Sequence, residues 1–123
     1  MPETRDGLAC PQSFLDAPDE LRRQVCNGCG SAQAKFDFIP DTVWFLPIRK
    51  ACDIHDWMYA QGRDIEDKRQ ADRVFLNNML RLVERERGIV GRLLKPLRRR
   101  RALKYYEAVN AFGGPAFWSG KNG

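Results

Sequence analysis

One histidine occurs in the chain, His55, within the run Cys52-Asp53-Ile54-His55-Asp56-Trp57-Met58-Tyr59. A carboxylate follows it directly, a cysteine lies three positions before it and a tyrosine four positions after. On a helix, residues 52, 55, 56 and 59 fall on one face or its shoulder, because neighbours three and four apart stack. A base, an anion suited to a hard metal, a hydroxyl and a cross-linkable thiol thereby meet on one small surface. An imidazole held by a carboxylate has a fixed tautomer and can take a proton from water with its other nitrogen. Asp72 is the candidate for that carboxylate. It stands three and four residues before Phe75 and Leu76 and seven before Met79, on the apolar side of a second helical stretch. A buried carboxylate is costly unless hydrogen-bonded or paired, and the ring N–H of a histidine on a facing antiparallel helix would satisfy it.

Asp56 points about 100° round the helix from His55, where it can meet a loop that supplies backbone carbonyls. Cys26-Asn27-Gly28-Cys29-Gly30 is such a loop, its glycines exposing carbonyls and permitting unusual dihedrals. Calcium prefers oxygen ligands of this kind. A disulfide from Cys29 to Cys52 would pin the loop beside the helix that carries Asp56. A water-activating base, a Lewis-acidic cation that stabilises an oxyanion and a hydrophobic surround are the parts of calcium-assisted ester hydrolysis.

The elements that must position these groups are mostly helices. The pattern predicts a helix over 48–61 that ends at Gly62. A second begins near Asp64 or Asp67 and runs to about Arg87, ending at Gly88, with Val74, Phe75, Leu76, Met79, Leu80, Leu82 and Val83 on its inner face. Residues 89–100 are expected as a basic connector interrupted by Gly91 and Pro96, and a third helix over 99–112. Residues 1–18 hold three prolines and no clear period, which predicts an irregular arm. Asp16 or Asp19 is the expected cap of a short helix over 20–25. Residues 26–47 are expected as a glycine loop followed by extended, packed coil, and 114–123 as a tail. The length suits a single domain, 1–123.

Hydrophobic content of 43% and charged content of 30% suit a globular protein, and no apolar run approaches the about 20 residues of a membrane span. The first ten residues include acidic side chains and lack an apolar core, which is unlike a secretory signal. The expected locations are therefore the cytoplasm, a phage particle or a leaderless export route. The four cysteines, Cys10, Cys26, Cys29 and Cys52, leave the redox state open. Charge is uneven. Residues 1–80 hold 10 basic and 13 acidic residues, net −3, whereas residues 81–123 hold 11 basic and 3 acidic, net +8. That asymmetry points to an anionic partner contacted from the C-terminal third, either a phospholipid surface or a nucleic acid. The basic run 98–101 and the aromatics Trp57, Phe112, Phe117 and Trp118 are candidates for such an interface, with Trp57 expected in the core instead.

On these residues the chain resembles the phospholipase A2 family. Cys52-x-x-His55-Asp56-x-x-Tyr59 is similar to that family's active-site helix. Ala71-Asp72-Arg73, with Phe75 and Met79, resembles the segment that carries its dyad aspartate. Lys104-Tyr105-Tyr106-Glu107-Ala108-Val109, continued by Phe112-Gly113, is similar to the closing helix of the bacterial and fungal branch. Asn27-Gly28-Cys29 resembles that branch's calcium loop, and the resemblance spans about residues 26–113. It implies a mainly α, small phospholipase A2-like fold, with a loop-rich N-terminal part and two long antiparallel helices carrying a His/Asp dyad. The implied activity is calcium-dependent hydrolysis of the sn-2 ester of phospholipids. His55 would be the base, Asp72 its orienting partner, Tyr59 a hydrogen-bond partner of Asp72, and Asp56 a calcium ligand. Asn27, Gly28 and Gly30 would complete the Ca2+ site. Asn27 stands where the family's loop has an aspartate, and the lost charge should weaken calcium binding. The second disulfide of that branch finds no cysteines after Asp72.

Two other functions use the same residues. Cys26-x-x-Cys29 and Cys52-x-x-His55, separated by 22 residues, have the spacing of a Cys3His zinc site. The basic C-terminal third would then be a nucleic-acid arm. Alternatively the domain is a catalytically inactive phospholipase-like module that binds membranes.

Overall fold

The computed structural model describes residues 1–26, 40–118 and 121. The fold is mainly helical. The helices are α1 (Gln12–Asp16), α2 (Asp19–Val25), α3 (Arg49–Gln61), α4 (Ile65–Glu84), α5 (Ile89–Phe112) and α6 (Gly114–Trp118), and a hairpin of β1 (Thr42–Val43) and β2 (Leu46–Pro47) precedes α3. The two strands pair antiparallel, with Thr42 opposite Pro47 and Val43 opposite Leu46.

Helix α3 follows Pro47, buries Ala51, Cys52, Ile54, His55, Trp57, Met58 and Tyr59, and stops at Gly62. The short connection 62–64 turns the chain back, so that α4 packs along α3. Asp64 caps α4 by accepting the Asp67 N–H at 2.9 Å, and the Asp67 carboxylate accepts the Arg63 N–H at 2.8 Å. The first bond satisfies one of the N–H groups left open at the helix start, and the second ties the residue before the cap to the first turn. The inner face of α4 carries Ala71, Val74, Phe75, Met79 and Val83, as helical periodicity requires, but three polar residues, Lys68, Asp72 and Asn78, are buried among them.

Four expectations are corrected. The segment 89–112 is one helix, α5, and not a connector followed by a third helix. Pro96 removes one helical N–H, yet it lies on the solvent side, where the carbonyl left without that donor can be hydrated. Glu84 at the end of α4 holds α5 on both sides of the proline, through Lys95 at 3.4 Å and through Arg99. Residues 1–18 are not an irregular arm outside the core. They contain α1, and Leu8, Ala9 and Cys10 are buried. The Asn78 side chain accepts the Ala9 N–H at 2.8 Å and donates to the Ala9 carbonyl at 2.9 Å, so this buried backbone finds both partners on α4. Neither Asp16 nor Asp19 caps α2. Pro18 occupies that position and Asp19 opens the helix, where its charge suits the dipole and pairs with Arg22. The final segment is not a simple tail, because α6 drives Phe117 into the core.

Gly62 is required by that last packing. A Cβ there would meet the Phe117 ring at 2.6 Å, so only glycine lets α6 close over the end of α3. Among the described residues, no helix is long and apolar enough to cross a membrane.

Candidate active site

Packing α4 against α3 brings residues 55, 59 and 72 together. The Nε2 of His55 lies 2.8 Å from Oδ1 of Asp72, and the Tyr59 hydroxyl donates to the same oxygen at 2.6 Å. His55 and Tyr59 are one helical turn apart on α3, so a single carboxylate from the facing helix reaches both. All three are buried, Asp72 completely. Phe75, one turn beyond Asp72, stacks on the imidazole at 4.6 Å between ring centroids, and Phe117 from α6 meets the Tyr59 ring edge-on at 5.2 Å.

A fourth member had no place in the sequence-level assignment. Lys68, one turn before Asp72 on α4, is buried and donates to Asp72 Oδ2 at 2.8 Å. It also donates to the carbonyls of Val109 at 3.1 Å and Asn110 at 3.4 Å, near the end of α5. Its three donors thus bind the dyad carboxylate and α5 at once. The signal was present: position 68 shares the stripe of 71, 72, 75 and 79 at helical spacing. Lysine is rarely buried, so its residue type did not point to the site. Phe117, expected as an interface candidate, lies in the core instead, and α6 is too short for a periodicity argument to have placed it there.

Burial alone would raise the Asp72 carboxyl, but hydrogen bonds from His55, Lys68 and Tyr59 outweigh it and hold the group below the usual carboxylate value. Asp72 is therefore an anion that only accepts, so Nε2 of the neutral imidazole carries the hydrogen and Nδ1 is the basic nitrogen. Burial lowers the His55 ring below its ordinary value; contact with Asp72 opposes this and the Lys68 charge assists it. Tyr59 is pushed up by burial and by its bond to the Asp72 anion, so it stays a neutral donor.

Asp56 lies half-buried on α3, next to the dyad in sequence. Burial, then the charges of Asp53 and Asp56, push the Cys26 thiol up to about 12, so the segment that ends α2 comes close to these carboxylates. Asn27, Gly28 and Gly30, the other expected calcium ligands, lie outside the described residues. Among the described residues no group of three His, Cys, Asp or Glu side chains is gathered to hold a metal. Of the expected ligands only Asp56 is described, and its carboxylate is a hard oxygen donor of the kind calcium takes. Cys10 and Cys26 carry free thiols. Cys52 is disulfide-bonded, and Cys29, the partner expected from sequence, lies outside the described residues.

The remaining interface candidates separate. Trp57 is buried and donates to the Ser13 hydroxyl at 3.0 Å, and Phe117 is core, whereas Phe112 is exposed. The basic run 98–101 is not a helix start but the middle of α5, with Arg98 buried. Comparison with protein-family models, with curated proteins and with solved structures yields no match.

Proposed function

We propose that the protein is a calcium-dependent hydrolase of the phospholipase A2 type, cleaving the sn-2 ester of phospholipids. The observation that carries this reading is the buried 2.8 Å contact between His55 Nε2 and the ionised Asp72. It fixes the tautomer that leaves Nδ1 basic, and the low proton affinity of the ring keeps it neutral near pH 7.

Water is deprotonated by His55 Nδ1 and attacks the ester carbonyl. Asp72 stabilises the imidazolium so formed, and Tyr59 and Lys68 hold Asp72 in place. The proton then passes from the imidazolium to the leaving alkoxide, which returns the ring to its starting state. Asp56, with Asn27, Gly28 and Gly30, would hold the calcium ion, which when bound supplies positive charge to the substrate phosphate and the developing oxyanion.

Fatty-acid release from mixed anionic vesicles, with and without chelator, tests the proposal. Wild type should release fatty acid only with calcium, His55→Ala should release none while retaining its fold, and Asp56→Asn should lose the benefit of calcium. Full turnover by His55→Ala would end the proposal. The Cys3His zinc alternative requires Cys52 as a thiolate ligand, whereas Cys52 is in a disulfide. Stoichiometric zinc in the purified protein would revive it. Calcium-independent silence of a wild type that still binds vesicles would favour the inactive module.

A further inference from the structure

The solvent side of α5 is unusually apolar. Ile89, Val90, Leu93 and Leu97 are exposed, Ile89 at 77% and Leu93 at 71%. They span about 100° of the helix circumference, opposite the buried Gly91, Ala102 and Val109. Toward the C-terminus the same face continues as the exposed Arg100, Arg101 and Lys104. Over its length α5 carries seven lysines and arginines against one acidic residue, Glu107.

The β1–β2 turn adds a second apolar element beside this face. Its two central residues, Trp44 and Phe45, have φ of 43° and 71°. Two-residue hairpins normally place Asn or Gly in this left-handed region, and bulky side chains there are strained. Phe45 is 82% exposed. The turn is clamped to α5 by Arg98, whose Nε donates to the Trp44 carbonyl at 3.1 Å, and by Arg101, whose guanidinium lies 5.5 Å over the Trp44 ring. Both arginines follow Leu97 within about one helical turn.

We propose that this face, residues 89–104 of α5 together with the 44–45 turn, seats the protein on an anionic phospholipid bilayer. The aliphatic and aromatic side chains enter the interface and the arginines and lysine meet lipid phosphates. The proposal deepens the phospholipase reading and rests on it only for taking the bilayer as the place where substrate is met. The surface itself stands on exposure and charge. Self-association through this face would bring two strongly basic helices together, and a nucleic acid would leave the aliphatic stripe in water.

The test is sedimentation of the full chain, in EDTA, with vesicles of equimolar phosphatidylglycerol and phosphatidylcholine and with vesicles of phosphatidylcholine alone. Binding should strongly favour the anionic vesicles and weaken with salt. Ile89→Ser/Leu93→Ser, at exposed positions, should lower the partition coefficient at least roughly tenfold. Arg100→Gln and Lys104→Gln should each lower it roughly fivefold. Vesicles carrying bromine on their acyl chains should quench wild-type tryptophan fluorescence, and Trp44→Phe should lose most of that quenching. Equal binding of the two vesicle types, or unchanged binding by the Ser variant, would overturn the proposal. So would a concentration-dependent dimer that Leu93→Ser abolishes. Hydrolysis of a short-chain phospholipid below its micelle concentration, with calcium, reports on the dyad separately. Hydrolysis without vesicle binding refutes this surface alone, whereas vesicle binding without hydrolysis refutes the enzymatic reading alone.

Discussion

Lys68→Met removes the buried cation while keeping a side chain of similar length. Asp72 Oδ2 loses its 2.8 Å donor, and the carbonyls of Val109 and Asn110 lose theirs at 3.1 and 3.4 Å. Breaking a buried ion pair from one side costs about 3–5 kcal/mol, because the remaining charge stays in a poor solvent. Two observations place this case at the lower end. Asp72 keeps its contacts with His55 and Tyr59, and the Val109 carbonyl keeps the Gly113 N–H at 2.8 Å. No discount for solvent screening applies, since the side chains of Lys68 and Asp72 are 6% and 0% exposed. The expected loss is about 3 kcal/mol, measured by urea unfolding with the slope held constant. A double-mutant cycle isolates the pair. Lys68→Met/Asp72→Asn should be less destabilised than the two single losses summed, because the orphaned charge is gone. A loss below about 1 kcal/mol in Lys68→Met, the range of exposed pairs, would refute the reasoning and place the amine in water.

The remaining predictions concern pH and packing. His55 is lowered from 6.5 in the folded state, so the unfolded chain binds its proton first on acidification. Its contribution to stability is complete above pH 6.5 and is lost as pH falls from there through the folded value. As the chain has one histidine, a single ring titration by NMR checks this, and a midpoint above 6.5 contradicts it. Asp72, also lowered, adds a further loss below 3.8 with the same sign. Gly62→Ala should cost about 1–3 kcal/mol by overpacking against Phe117, read as a lower unfolding midpoint; an unchanged midpoint would mean that α6 does not close over α3.

How much was legible in the sequence follows from the range of each interaction. The local signals held for the site helices. Gly62, Asp64 and Gly88 punctuate the chain within a residue or a few of where α3 and α4 begin and end. The apolar spacing of 71, 74, 75 and 79 put Asp72 on the inner face, because a helix repeats every three to four residues whatever surrounds it. His55 and Asp72 could therefore be matched from spacing, whereas the match of Tyr59 to Asp72 came from the family resemblance. Pro96 misled for the same reason. Its local preference is against helix, and it is the packing of α5 along α4, with the ring on the solvent side, that accompanies a continuous α5.

By itself, the sequence determined the periods and the approximate ends of α3 and α4 and which carboxylate could face the histidine. Tertiary structure decided the rest. It chose Lys68 for burial, since a lysine is tolerated inside only where an anion and open carbonyls converge, and those come from other turns and another helix. It drew Leu8–Cys10 into the core through Asn78, a pairing across 69 residues that no local pattern encodes. It also left Ile89, Leu93 and Phe45 in solvent. Hydrophobicity marks a residue that can be buried, but the shape of the opposing surface determines whether anything covers it.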